Sequence, residues 1–99
     1  MRWNYYDEAV EMLDQRFGFF PHVFRWCGRF YEVDSVEYCW TVVRKRGNTS
    51  VERRYFRLRC AAAVFELYQD LVAGTWHVRR VALAPQSVLA LPRLAPAWQ

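Results

Sequence analysis

Apolar and polar positions alternate with a period of two in several stretches of this chain, the spacing that sends every second side chain to one face of a pleated strand. The run Phe24-Arg25-Trp26-Cys27-Gly28-Arg29-Phe30-Tyr31-Glu32-Val33 reads as two short aromatic strands hinged on a glycine. Phe24 and Trp26 share one face and Val23 and Arg25 the other, Gly28 supplies the tight turn, and residues 29–33 return with Tyr31 and Val33 inward. Val36, Tyr38, Trp40 and Val42 alternate with Glu37, Cys39 and Thr41, which favours a strand, with a helix through Val36, Trp40 and Val43 as the alternative on spacing. Residues 53–60 put Phe56, Leu58 and Cys60 on one face and Arg53, Tyr55, Arg57 and Arg59 on the other. Residues 63–69 put Phe65 and Leu67 inward and leave Val64, Glu66 and Tyr68 outward. Residues 75–83 begin with Trp76 and Val78 inward and finish with Val81 and Leu83, so the phase changes near Arg79-Arg80 and predicts a β-bulge there. Gly74 is placed to close the hairpin that Asp70 opens.

Other segments are less regular. Residues 6–14 fit a strand through Val10 and Met12 or a helix through Ala9, Met12 and Leu13. Phe17-Gly18-Phe19-Phe20-Pro21 is punctuated as a turn. Arg44-Lys45-Arg46-Gly47-Asn48-Thr49-Ser50 has no apolar anchor and reads as a mobile polar loop. After Ala84 the strand period disappears into a stretch with three prolines and several leucines. The expected organisation is an antiparallel β domain over residues 1–84 and an extended Pro/Leu-rich tail over 85–99, laid on the domain or engaging a partner. The expected fold is all-β, a small antiparallel barrel or strongly bent sheet of about six to seven strands.

Composition sharpens that expectation. A chain of 99 residues is one domain that buries roughly 65% of its unfolded surface, enough for a core without disulfides or metal. Five Trp, six Tyr and seven Phe point to an aromatic core and away from disorder. Asp7, Glu8, Glu11 and Asp14 interrupt the first residues, and no apolar stretch is long enough for a membrane span, so the chain reads as cytoplasmic. The three cysteines, Cys27, Cys39 and Cys60, lack C-x-x-C spacing and read as small buried or half-buried thiols. A metal or nucleophile site joining His22 or His77 to a cysteine lacks an acidic orienting group at a recognisable spacing. No cofactor or metal is expected.

Charge is unevenly placed. Residues 1–43 hold four Arg against seven acids, whereas residues 44–99 hold ten Arg and Lys against three acids. Arg44, Lys45, Arg46, Arg53, Arg54, Arg57 and Arg59 fall within sixteen residues, opposed by Glu52. Such a block suits phosphates or an acidic protein. The contrary reading is a solvated surface in a chain that uses thirteen Arg to one Lys.

The order Phe24-x-Trp26-x-Gly28-Arg29-x-Tyr31-x-Val33-x-x-Val36-x-x-x-Trp40, then Tyr55-Phe56-Arg57-Leu58, Phe65-Glu66-Leu67-Tyr68-x-Asp70 and Trp76-x-Val78-x-Arg80 resembles a small bacterial β-domain family of unknown function. A similar pattern closes some Y-family polymerase-like proteins of the mutagenesis-cassette type. The resemblance covers residues 6–83. It carries no activity across and implies a setting in DNA repair and damage tolerance. Cys60-Ala61-Ala62-Ala63 departs from it, standing where the pattern has a polar, glycine-bearing turn.

Two functional readings follow. In the first the chain is a nucleic-acid-binding module for DNA or RNA. Arg53, Tyr55, Arg57 and Arg59 line one strand face, Tyr68, His77 and Arg79 join it if the strands form a meander, and Arg44, Lys45, Arg46 and Arg54 add charge. The structural alternative makes Tyr55 and Tyr68 cross-strand neighbours with arginine stems laid over them. In the second reading the chain is a protein-interaction adaptor. Gln86-Ser87-Val88-Leu89-Ala90-Leu91 is similar to the Gln-Leu-x-Leu-x-Leu peptide that docks replication and repair proteins on the bacterial sliding clamp, with Ser87 in place of leucine. Gln86, Leu89 and Leu91 would then contact the partner, and an exposed sheet edge would pair with a partner or a second copy as a homodimer. Carboxylates and histidines are scattered, so no catalytic site is expected; Glu66 is expected to form an ion pair with Arg57 or Arg59.

Overall fold

The computed structural model describes residues 2–83; the tail assigned to 85–99, with Gln86, Leu89 and Leu91, lies outside the described residues. Seven strands follow one another along the chain: β1 (Trp3–Arg16), β2 (Phe20–Trp26), β3 (Arg29–Glu32), β4 (Ser35–Arg46), β5 (Thr49–Cys60), β6 (Ala63–Asp70) and β7 (Trp76–Leu83). All neighbours are antiparallel and form one sheet in the order β3-β2-β1-β7-β6-β5-β4. The expected all-β fold is present in its bent-sheet form.

Burial of one aromatic face bends the sheet. Phe24 from β2, Phe56 and Leu58 from β5, Phe65 and Leu67 from β6, and Trp76 and Val78 from β7 are buried together, with Tyr6, Met12, Phe20, Trp26 and Tyr31 packed around them. Phe24 stacks on Tyr31 at 5.3 Å between ring centroids and meets Phe65 edge-on at 5.3 Å. These contacts carry the β2–β3 hairpin over the face of β5, β6 and β7, where its rings are removed from water. The two outer strands, β3 and β4, do not pair, so the sheet stays open. The dipeptide that joins them along the chain bridges β2 to β5: the Val33 N–H donates to the His22 carbonyl and the Asp34 N–H to the Arg59 carbonyl, each at 2.8 Å.

Of the two readings open for residues 6–14 the strand is present, running from Trp3 to Arg16. Several other expectations are corrected. The polar run Arg44–Ser50 is not a loop: β4 continues to Arg46 and β5 begins at Thr49, leaving the two-residue turn Gly47-Asn48. Gly47 takes φ +55° at the first central position, where such a turn needs it. This segment is strand because the turn fixes the pairing; it lacks an apolar period because neither face is covered. Val36 does not share a face with Tyr38, Trp40 and Val42, because a bulge between Val36 and Tyr38 turns Val36 toward the core and the others away. Val64, Glu66 and Tyr68, outward by alternation, are buried by side chains on their own face. Of the three cysteines, Cys60 is buried while Cys27 and Cys39 are exposed. Among the described residues no helix is long and apolar enough to cross a membrane.

Candidate nucleic-acid interface

The face of the sheet opposite the aromatic core is built from arginines and rings in register. Residues directly opposite in antiparallel strands share a face, so Trp40, Tyr55, Tyr68 and His77 form a row across β4, β5, β6 and β7. Trp40 lies flat on Tyr55, with centroids 5.2 Å apart and planes 9° apart, and Tyr68 lies on His77 at 4.8 Å and 16°. Tyr55 and Tyr68 are 5.4 Å apart. The Arg53 guanidinium covers the Tyr68 ring at 4.4 Å, and the Tyr68 hydroxyl donates to Asp7 at 2.8 Å. Burial, then that hydrogen bond, pushes the Tyr68 hydroxyl up to about 12.

Beside this row sits Glu66, 0% exposed. Arg80 donates to both its carboxylate oxygens at 3.0 Å, Arg79 donates to one at 2.6 Å and Arg57 to the other at 3.2 Å. Burial raises the Glu66 pKa, but donation by Arg80, Arg79 and Arg57 outweighs it and leaves the carboxyl below its ordinary range. A bulge in β7 makes this convergence possible. Glu66 pairs with Arg80 and Leu67 with Val78, which leaves Arg79 as the extra residue and lets two consecutive arginines reach one carboxylate. The expected bulge and the expected ion pair of Glu66 with Arg57 are both present. Trp3 covers the cluster, with Arg80 4.0 Å and Arg57 5.4 Å from its ring centroid. Arg59 is held instead by Glu37, at 2.9 and 3.1 Å.

Toward the β4–β5 turn the same face opens into a trough of about 790 Å³ lined by Trp40, Val42, Arg44, Arg46, Thr49, Val51, Arg53, Tyr55 and Arg79. Arg44 and Arg46 are exposed and form no ion pair among the described residues. Trp40, 37% exposed, forms part of the wall together with its partner Tyr55. The arrangement offers cations for anionic oxygens and an aromatic surface for a planar group.

The candidate residues therefore separate into three sets. Arg44, Arg46, Arg53, Tyr55 and Arg79 come together in the trough, although Arg79 also donates to Glu66 and Arg53 also covers Tyr68. Arg57, Arg59, Tyr68 and His77 lie on the same face but are engaged with Glu66, Glu37, Asp7 and Thr75 respectively. Lys45 and Arg54 fall on the opposite face by alternation, where Arg54 covers the Phe19 ring at 4.7 Å. Trp40, Val42, Thr49 and Val51 were missed as lining residues. Period-two alternation marks Trp40 and Val42 as strand-mates, but only the β4–β5 register seats them opposite Tyr55 and Arg53. No group of three or more His, Cys, Asp or Glu is placed to hold a metal among the described residues. The chain matches no family model, no curated protein and no solved structure.

Proposed function

We propose that this protein is a non-enzymatic nucleic-acid-binding module, acting in DNA repair or damage tolerance as the resemblance implies, and that the trough along β4 and β5 is its contact surface. The observation that carries this reading is the junction of two uncommitted arginines, Arg44 and Arg46, with the stacked Trp40–Tyr55 pair in one open trough. Guanidinium groups neutralise phosphates and release their counterions, while rings receive bases without reading sequence. Arg57 and Arg59 contribute to the field of this face rather than to direct contact, since each already serves a carboxylate.

Fluorescence anisotropy with labelled single-stranded and duplex DNA over a range of salt tests the reading. Affinity is expected to fall steeply with salt. The Arg44→Ala, Arg46→Ala double variant is expected to lower the logarithmic salt slope by about 1.4 on single strands and about 1.8 on duplex. Arg25→Ala, which removes an exposed partner of Glu11 on β2, serves as the control and leaves the slope unchanged. A double variant that binds like the parent removes the trough from the contact surface.

A second reading, an adaptor that pairs with a strand of another protein or of a second copy, is favoured by one observation. β4 is an edge over its twelve residues, with Tyr38, Trp40 and Val43 exposed along it. Sedimentation equilibrium tests the self-pairing form of that reading: a monomer at all concentrations excludes it.

A further inference from the structure

The β4–β5 hairpin extends beyond the sheet. β6 pairs with β5 only from the Arg53–Asp70 pair onward, so residues 43–52 form a two-stranded arm whose sole cross-strand partners are each other, from Val43–Glu52 to Arg46–Thr49. The described residues extend 55 × 26 × 23 Å. From Val43 to Arg46 the arm reaches about 10 Å at the usual strand rise. Arg44, Lys45 and Arg46 are all exposed at its end, while its one acid, Glu52, sits at the root, where its carbonyl accepts the Leu71 N–H at 2.8 Å.

The charges lie on both faces. Arg44 and Arg46 line the trough, and alternation sends Lys45 to the other side. A surface that receives one strand from above needs cations on one face only. An element charged on both faces and free along both edges is suited to a cleft with phosphates on two walls. We propose that this arm enters the major groove of duplex DNA, an inference that rests on the nucleic-acid reading above and names its substrate class. The B-form major groove, about 12 Å wide, admits a two-stranded ribbon, whereas the minor groove, about 6 Å wide, does not. The A-form major groove of duplex RNA is too deep and narrow for side chains to read.

The test uses the full chain with a guanine-containing DNA duplex, the matching RNA duplex and the single strands. DNA duplex is expected to bind tenfold or more tightly than the RNA duplex, and bound protein is expected to protect guanine N7 from dimethyl sulfate while leaving adenine N3 reactive. Lys45→Ala and Arg46→Ala are each expected to lower the duplex salt slope by about 0.9. A shortened arm that omits Lys45, Arg46, Thr49 and Ser50, so that Gly47-Asn48 joins Arg44 to Val51 in unchanged phase, is expected to lose the duplex preference. Its circular dichroism reports whether the sheet remains, and the exposed Lys45→Ala change decides the matter independently. Binding with unprotected guanine N7, or a Lys45→Ala protein indistinguishable from the parent, overturns the arm while leaving the trough reading intact. No binding to any of these nucleic acids at low salt overturns both.

Discussion

At Ala61 the backbone takes φ +52°, a left-handed conformation in which a Cβ crowds the following carbonyl at a cost of roughly 1–2 kcal/mol. The Cys60-Ala61-Ala62-Ala63 turn holds it there because Cys60 and Ala63 pair across β5 and β6 and because the Asp34 carboxylate accepts the Ala61 N–H at 2.7 Å. The same dipeptide that bridges β2 to β5 thus also fastens this turn. Ala61→Gly keeps the N–H and removes the Cβ, and is expected to stabilise the fold by about 1 kcal/mol, less what glycine adds to unfolded-chain entropy; the urea midpoint measures it. Next door, burial and then the Asp34 charge push the Cys60 thiol up to about 12, so this cysteine is expected to resist alkylation in the native state while Cys27 and Cys39, both exposed, react.

Between elements, the decisive device is the β7 bulge that brings Arg79 and Arg80 to Glu66. A carboxyl whose pKa is depressed by folding contributes stability above its unfolded value and loses it as pH falls through the folded one. The Glu66 contribution is therefore complete at neutral pH and is lost on acidification below about 4.5, its unperturbed value. Asp70, held low by the Ala73 and Val72 N–H groups, adds to the same acid limb, so the informative quantity is the difference between proteins. Glu66→Gln is expected to cost about 3 kcal/mol at pH 7, by leaving three arginines facing a neutral group, and less at pH 3; urea denaturation at both values measures it. The bulge was legible from the change of phase at Arg79-Arg80, and the strands from Phe24 to Val33 and from Arg53 to Leu83 were legible from their period. The arm was not, because alternation reports burial and a ribbon wet on both faces has none to report. Of the trough, the arginines could be read from their clustering, but Trp40 reaches Tyr55 only through a register set by Gly47-Asn48 and the bulge after Val36, neither of which is encoded at Trp40 itself.

For the molecule as a whole, the basic excess gathers on β4 and β5, whereas β1–β3 mix Asp7, Glu8, Glu11, Asp14 and Glu32 with Arg16, Arg25 and Arg29. The β1–β3 side holds Asp14, His22 and Glu32, with the His22 ring 2.6 Å from Asp14 and 3.4 Å from Glu32, while the β4–β5 side ends in Arg44, Lys45 and Arg46. That local excess of positive charge orients the arm toward a polyanion before contact. The sheet order carries a further consequence, for the order of events during synthesis. β1 pairs with β7, Trp3 opposite Ala82, so β1 leaves the ribosome well before β7 and waits for it before its second edge is satisfied. Loop closure over such a separation is slow, and refolding of the isolated chain is expected in milliseconds to seconds rather than microseconds, measurable by stopped-flow tryptophan fluorescence. Until then Phe17, 94% exposed even in the finished fold, and the rings of β2 and β3 stand uncovered, and the nascent chain is at its most vulnerable to association with its neighbours on the same messenger.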